Sequence, residues 1–151
     1  MLLYVKIIAS MELNVEESNV QTGVYSIFTG VKVAVIDDSK TIRKSADRIL
    51  QKAGCEVVLS EDGYQAMSDI YDFEPDIIFI DVMMPKLDGY QTCTLIRRNK
   101  KFEGVKIIML SSKDGLFDKA KGVMSGSNEY LTKPFSGEDI LDAIKRNLEL
   151  G

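Results

Sequence analysis

Five residues carry the chemistry this sequence offers: Asp37, Asp38, Asp81, Ser111 and Lys133. Each closes or follows a short apolar run. VAVI precedes Asp37-Asp38, IIFI precedes Asp81, IIML precedes Ser111-Ser112, and EYLT precedes Lys133-Pro134. Three carboxylates gathered in one crevice repel one another unless a cation is present. A hard divalent ion bound through oxygen relieves that repulsion, and magnesium fits because it needs few carboxylates and keeps several waters. Lys133 adds a fixed positive charge and Ser111 a hydroxyl donor. A carboxylate nucleophile, a magnesium ion, an ammonium and a hydroxyl together make a phosphoryl-transfer site. Asp81 is the candidate nucleophile because it closes the central apolar run.

Taken singly, each residue has an ordinary explanation. An aspartate after a strand is most often a turn or cap residue, and Asp38 is placed to cap the first helix. Ser111 alone reads as a helix cap, and Lys133 alone as a solvated charge. Their joint placement at the ends of four of the five strands outweighs those readings.

The elements that must position them follow from the patterning. Val31 to Ile36 reads as a buried strand. Ile42, Ala46, Ile49, Leu50 and Ala53 recur at helical spacing, and Gly54 is a stop signal. A second strand covers Glu56 to Leu59, and Asp62 caps a helix carrying Ala66, Met67, Ile70 and Tyr71. Ile77 to Ile80 is the third strand, and Tyr90, Cys93, Thr94 and Arg97 mark the next helix. Val105 to Leu110 is the fourth strand, and Leu116, Phe117, Ala120, Val123 and Met124 line one face of a helix. A fifth strand covers Glu129 to Leu131. Ser136 and Asp139 form a capping-box pattern before Ile140, Leu141, Ile144 and Leu148. Alternation of continuous apolar strands with helices implies an α/β fold, a parallel sheet covered on both faces. In such sheets the functional crevice lies beyond the carboxyl ends of the strands.

Composition narrows the function. The chain has 151 residues, 45% hydrophobic and 28% charged, as expected for one globular domain. Histidine is absent, which excludes imidazole zinc sites and Ser–His or Cys–His catalysis. Cys55 and Cys93 form no CxxC pair and read as buried free thiols in a reducing, cytoplasmic setting. A net charge of −4 argues against a nucleic-acid surface. The apolar start MLLYVKIIA contains Lys6 and is far short of a membrane helix. Residues 1–30 are expected to be a partly flexible extension, with Met11 an alternative start, and residues 31–150 the folded domain. No GxxxxGK[ST] or GxGxxG loop occurs, and Asp81 is followed by Val82-Met83, so no DxD nucleophile motif is present.

VAVIDDSKTIRK (33–44), DIIFIDVMMPKLDGY (76–90), IIMLSSKDG (107–115) and EYLTKPF (129–135) resemble the receiver domain of two-component response regulators. The resemblance covers about residues 31–150. It implies a doubly wound, flavodoxin-like sheet of five strands in the order 2-1-3-4-5 with five helices. It also implies that Asp81 accepts the phosphoryl group. Asp38, Asp81 and the backbone carbonyl of Met83 hold magnesium, with Asp37 acting mainly through water. Ser111 and Lys133 contact phosphoryl oxygens, and Ser112 lies beside them where alanine is common. Tyr130 is the switch aromatic, and the Lys133-Pro134 bond is cis. LDGYQTCTLIR and MLSSKDGLFDKAKG are similar to PilG-type single-domain regulators of type IV pilus twitching motility. The implied donor is a histidine kinase or histidine phosphotransfer domain. The implied output is a downstream protein partner, of the pilus machinery, engaged through helix four, strand five and helix five. The chain is expected to be a monomer with no separate substrate, no nucleic-acid partner and no membrane insertion. A phosphate sink, or a phosphorylation-independent adaptor with the same fold, is the alternative.

Overall fold

The computed structural model describes residues 27–113 and 115–151. Five strands alternate with five helices: β1 Lys32–Ile36, α1 Lys40–Lys52, β2 Glu56–Ser60, α2 Gly63–Phe73, β3 Ile77–Asp81, α3 Gly89–Arg98, β4 Lys106–Ser111, α4 Leu116–Ser125, β5 Glu129–Thr132 and α5 Gly137–Asn147. A 3-10 turn, Lys100–Phe102, links α3 to β4. The strands form one sheet in the order β2-β1-β3-β4-β5, and every neighbouring pair is parallel.

The continuous apolar runs are explained by a sheet covered on both faces. Side chains alternate along a strand, so a run apolar at every position feeds two cores. Ile77 and Phe79 of β3 join Val33, Val35, Leu50, Ile140 and Ile144 on one side. Ile78 and Ile80 join Ala34, Ile36, Ile70, Cys93 and Ile96 on the other. Both cysteines are free and buried.

Local chemistry sets the helix ends. Ser39, rather than Asp38, caps α1 by accepting from the Ile42 amide. Asp62 accepts from Gln65 N–H at the start of α2. Reciprocal capping boxes open α3, between Asp88 and Gln91, and α5, between Ser136 and Asp139. Four strands run one residue past their expected stretch, because the ladder continues where hydrophobicity stops. Asp81 still pairs with Leu110, Ser111 with Thr132 and Ser60 with Ile36.

The residues expected to line one face of α4 do share a face, but it is the solvent face. Leu116, Phe117, Val123 and Met124 are all exposed, whereas Gly122 is buried. A β-carbon on Gly122 would lie 3.2 Å from the Tyr130 ring, so the helix packs closely through its smallest residue. The expected extension over residues 1–30 falls largely outside the described residues. Of its last four, Phe28 is buried and joins the core beneath α1 and α5. No helix of the described residues is long and apolar enough to cross a membrane.

Candidate functional site

The carboxyl edge of the sheet brings the acids together. One oxygen from each of Asp37, Asp38 and Asp81 lies within 4.8 Å of the other two. Asp37 is 0% exposed and Asp81 4%, while Asp38 is open to solvent. Asp37 is fixed by its loop. Its Oδ1 accepts from Ser39 N–H at 2.8 Å, and its carbonyl accepts from Arg43 Nη1 at 2.7 Å.

Lys133 reaches this cluster from the far side of the sheet. Its Nζ lies 3.0 Å from Asp81 Oδ1 and 3.5 Å from Asp37 Oδ2. The Lys133–Pro134 peptide bond is cis. The electrostatics follow from burial. Burial pushes Asp81 up to about 6, Lys133 pulls against it, and the Asp37 charge adds to the rise. Burial also raises Asp37, assisted by Asp38 and opposed by the Ser39 amide and Lys133. Among the described residues, Lys133 is therefore shared between the two buried acids, Asp37 and Asp81. Asp37 Oδ2 is buried with no hydrogen-bond partner among the described residues. An all-oxygen set with a buried carboxylate oxygen that makes no hydrogen bond and meets Lys133 only at 3.5 Å fits a small hard divalent cation.

Ser111 is fully buried at the end of β4, and its Oγ accepts from Lys113 N–H at 3.0 Å. Ser112 is exposed. It lines, with Lys133, an apolar groove of about 510 Å³ between α1 and the start of α5. Met83, two residues past Asp81, turns its side chain to solvent. Tyr130 lies on β5, paired with Met109 of β4. Its hydroxyl donates to the Lys113 carbonyl at 2.6 Å.

Two functional neighbours were not singled out from sequence. Gly89 packs directly on the nucleophile candidate: a β-carbon there would fall 2.5 Å from the Asp81 carbonyl oxygen and 2.8 Å from Val82 Cα. Tyr90, next in the chain, hydrogen-bonds Tyr130. The Asp88-Gly89-Tyr90 run was a signal, since a glycine at a helix start marks close backbone approach. Gly89→Ala is expected to lower unfolding free energy by about 2 kcal/mol, the usual cost of overpacking against backbone. Urea unfolding measures this, and an unchanged midpoint would show that the loop yields without cost.

A profile of the response regulator receiver domain matches residues 33–145. The chain belongs to the response regulator receiver family. Protein PilG of Pseudomonas aeruginosa is similar, 60% identical over 119 residues that span 79% of this chain and 88% of PilG. Among solved structures, the chemotaxis protein CheY4 of Vibrio cholerae superposes with a TM-score of 0.76 at 31% identity, over 78% of this chain and 98% of CheY4. The receiver domain of the Francisella response regulator 1452 gives 0.73 at 32% identity, over 80% of this chain and 98% of that one. As a receiver, the chain is a signalling domain of CheY-like fold, and its acidic pocket lies where the sheet's carboxyl edge should carry function.

Proposed function

We propose that this receiver is a phosphorylation switch, with residues 31–150 as the working unit. Asp81 takes a phosphoryl group from a phosphohistidine on a histidine kinase or phosphotransfer domain. The bond from phosphorus to the donor imidazole nitrogen breaks as the bond to an Asp81 carboxylate oxygen forms. The observation that carries this reading is Lys133 Nζ at 3.0 Å from Asp81 Oδ1, beside the buried Asp37. A carboxylate so placed has its negative charge balanced before the phosphate arrives, and preorganised charge is the largest lever in phosphoryl transfer.

The side chains divide the work. Lys133 holds one phosphoryl oxygen and Ser111 donates to another, with Ser112 small enough to leave room. Asp38, Asp81 and the Met83 carbonyl would hold magnesium, with Asp37 supporting the site beside them. Magnesium, when bound, supplies positive charge against the phosphoryl oxygens. The groove lined by Lys133 and Ser112 gives a donor protein an apolar surface that reaches the partner of Asp81.

Output passes through α4, β5 and α5, with Tyr130 reporting the position of Ser111. The solvent face of α4 supports this assignment. Phe117 is 79% exposed and Met124 87%, which is unusual for side chains of this size without a partner. Similarity to PilG supports a chemosensory pathway controlling type IV pilus twitching motility. In this reading the protein acts in the cytoplasm, as a monomer, on a pilus-machinery partner. The test is recovery of that partner with and without beryllofluoride, a phosphoryl mimic. Recovery should rise with beryllofluoride, and Phe117→Asp should remove most of it, about tenfold, as loss of a buried aromatic anchor does. Equal recovery in both states would overturn the switch.

A further inference from the structure

A run of hydrogen bonds leaves the candidate site and ends on α4. Ser111 Oγ accepts from Lys113 N–H at 3.0 Å. The Lys113 carbonyl accepts from Tyr130 Oη at 2.6 Å. Tyr130 Oη lies 3.3 Å from Tyr90 Oη, and Tyr90 Oη lies 3.2 Å from the carbonyl of Asp118, in the first turn of α4. A phenol has one proton. Tyr130 commits its proton to Lys113 at the shortest distance in the run. The Tyr90 proton is left facing two acceptors, Tyr130 Oη and the Asp118 carbonyl, at nearly equal and rather long distances.

We propose that Tyr90 is a positioning residue that couples the Asp81 site to the first turn of α4. The coupling rests on the reading of Asp81 given above. Movement of Ser111 carries Lys113, and Lys113 carries Tyr130. If Tyr130 withdraws, the Tyr90 hydroxyl turns wholly to Asp118 and ties down α4. If Tyr130 approaches, the proton turns to Tyr130 and the tie to Asp118 loosens.

Three features make Tyr90 suited to this. It is buried, so its hydroxyl has few competing partners. Its own position is set by the site, because Gly89 sits against the Asp81 carbonyl. The helix it grips is weakly anchored, since α4 begins at Gly115 with no side-chain cap. The Tyr90 ring also belongs to the core on the α2–α3 side of the sheet, in one cluster with Cys93 and Ile96. Phenylalanine keeps that ring and removes only the hydroxyl, so Tyr90→Phe separates the two roles.

The experiment uses the full chain, wild type and Tyr90→Phe, with magnesium, with and without beryllofluoride. Calorimetry reads beryllofluoride binding, and amide hydrogen exchange reads Lys119 and Ala120, at the end of the first turn of α4 and the start of the second. In wild type, beryllofluoride should change exchange at these amides by about fivefold, the effect of one hydrogen bond made or lost. In Tyr90→Phe the protein should still bind beryllofluoride, with that change reduced to within about twofold. Tyr130→Phe, which breaks the same run from its other side, should lose the response too, and the double variant should add nothing further. An α4 response in Tyr90→Phe equal to wild type overturns the coupling and leaves the site reading intact. Absence of beryllofluoride binding in wild type overturns the site reading, and the coupling with it.

Discussion

Asp81→Asn will take up no phosphoryl group from a small phosphodonor in the presence of magnesium, where the wild-type chain gains one. Intact mass reads the difference directly. The amide cannot attack phosphorus as a carboxylate does, and no neighbour substitutes for it. Asp37 is held by the Ser39 amide, and Asp38 stands out in solvent. Labelling that persists in Asp81→Asn would move the acceptor elsewhere. The same substitution has a second consequence, opposite in sign. Burial pushes the Asp81 carboxyl from 3.8 up to about 6, so the folded state disfavours its charge. The stabilisation from its protonated form is complete below the unfolded pKa and is lost as pH rises through about 6. Without divalent ions, wild type should therefore be less stable at pH 7.5 than at pH 5, as far as this group decides. At pH 7.5 Asp81→Asn should gain about 1–3 kcal/mol, at about 1.4 kcal/mol per pKa unit. Near pH 4.5 about a third of the gain should remain, and it should vanish only below the unfolded value of 3.8. Urea midpoints at the two pH values check it, and a gain independent of pH would locate its cause in packing.

What the sequence reveals and what it hides divides along physical lines. Strand positions were legible because a two-faced parallel sheet leaves an uninterrupted apolar run, as in Ile77 to Ile80. The acids were legible as a group because parallel strands deliver all their carboxyl ends to one edge. The expected ends fall one residue short at Ser60, Asp81, Ser111 and Thr132. Backbone pairing does not stop where the side chains turn polar. The orientation of α4 was hidden for a related reason. Leu116, Phe117, Val123 and Met124 have the spacing of a core face. The helix docks through Gly122 instead, since a side chain there would meet the Tyr130 ring. Tyr90 was read only as a helix-face residue. Its hydroxyl acquires a role from Tyr130, 40 residues away, and no local pattern encodes that meeting. Ser39 and Asp38 compete for the same cap by type, and only the geometry gives it to Ser39.

Lys133→Met should produce the largest loss among the site's other substitutions, and its pH dependence identifies the cause. Methionine keeps most of the apolar stem and removes the charge. Lys133 Nζ is the one cation within 4 Å of both Asp37 and Asp81 among the described residues. Its removal leaves two buried carboxylates facing each other. Stranding a fully buried charge costs about 3–5 kcal/mol; Lys133 is 22% exposed, so about 2 kcal/mol at pH 7.5 is expected. The sign follows from the same groups. Lysine lowers the Asp81 pKa, so without it that pKa lies above the present value of about 6. The destabilisation is then full at high pH and fades as pH falls and the pair takes up a proton. Magnesium should restore part of it at pH 7.5, because a divalent cation answers the same uncompensated charge. Phosphorylation should fall about a hundredfold, the effect of losing one preorganised partner of the transferring group. Urea unfolding at pH 5 and 7.5, with and without magnesium, separates the contributions. A loss equal at both pH values and indifferent to magnesium would make Lys133 a packing residue. A loss that magnesium reverses would make it the resident counter-charge of the acid cluster.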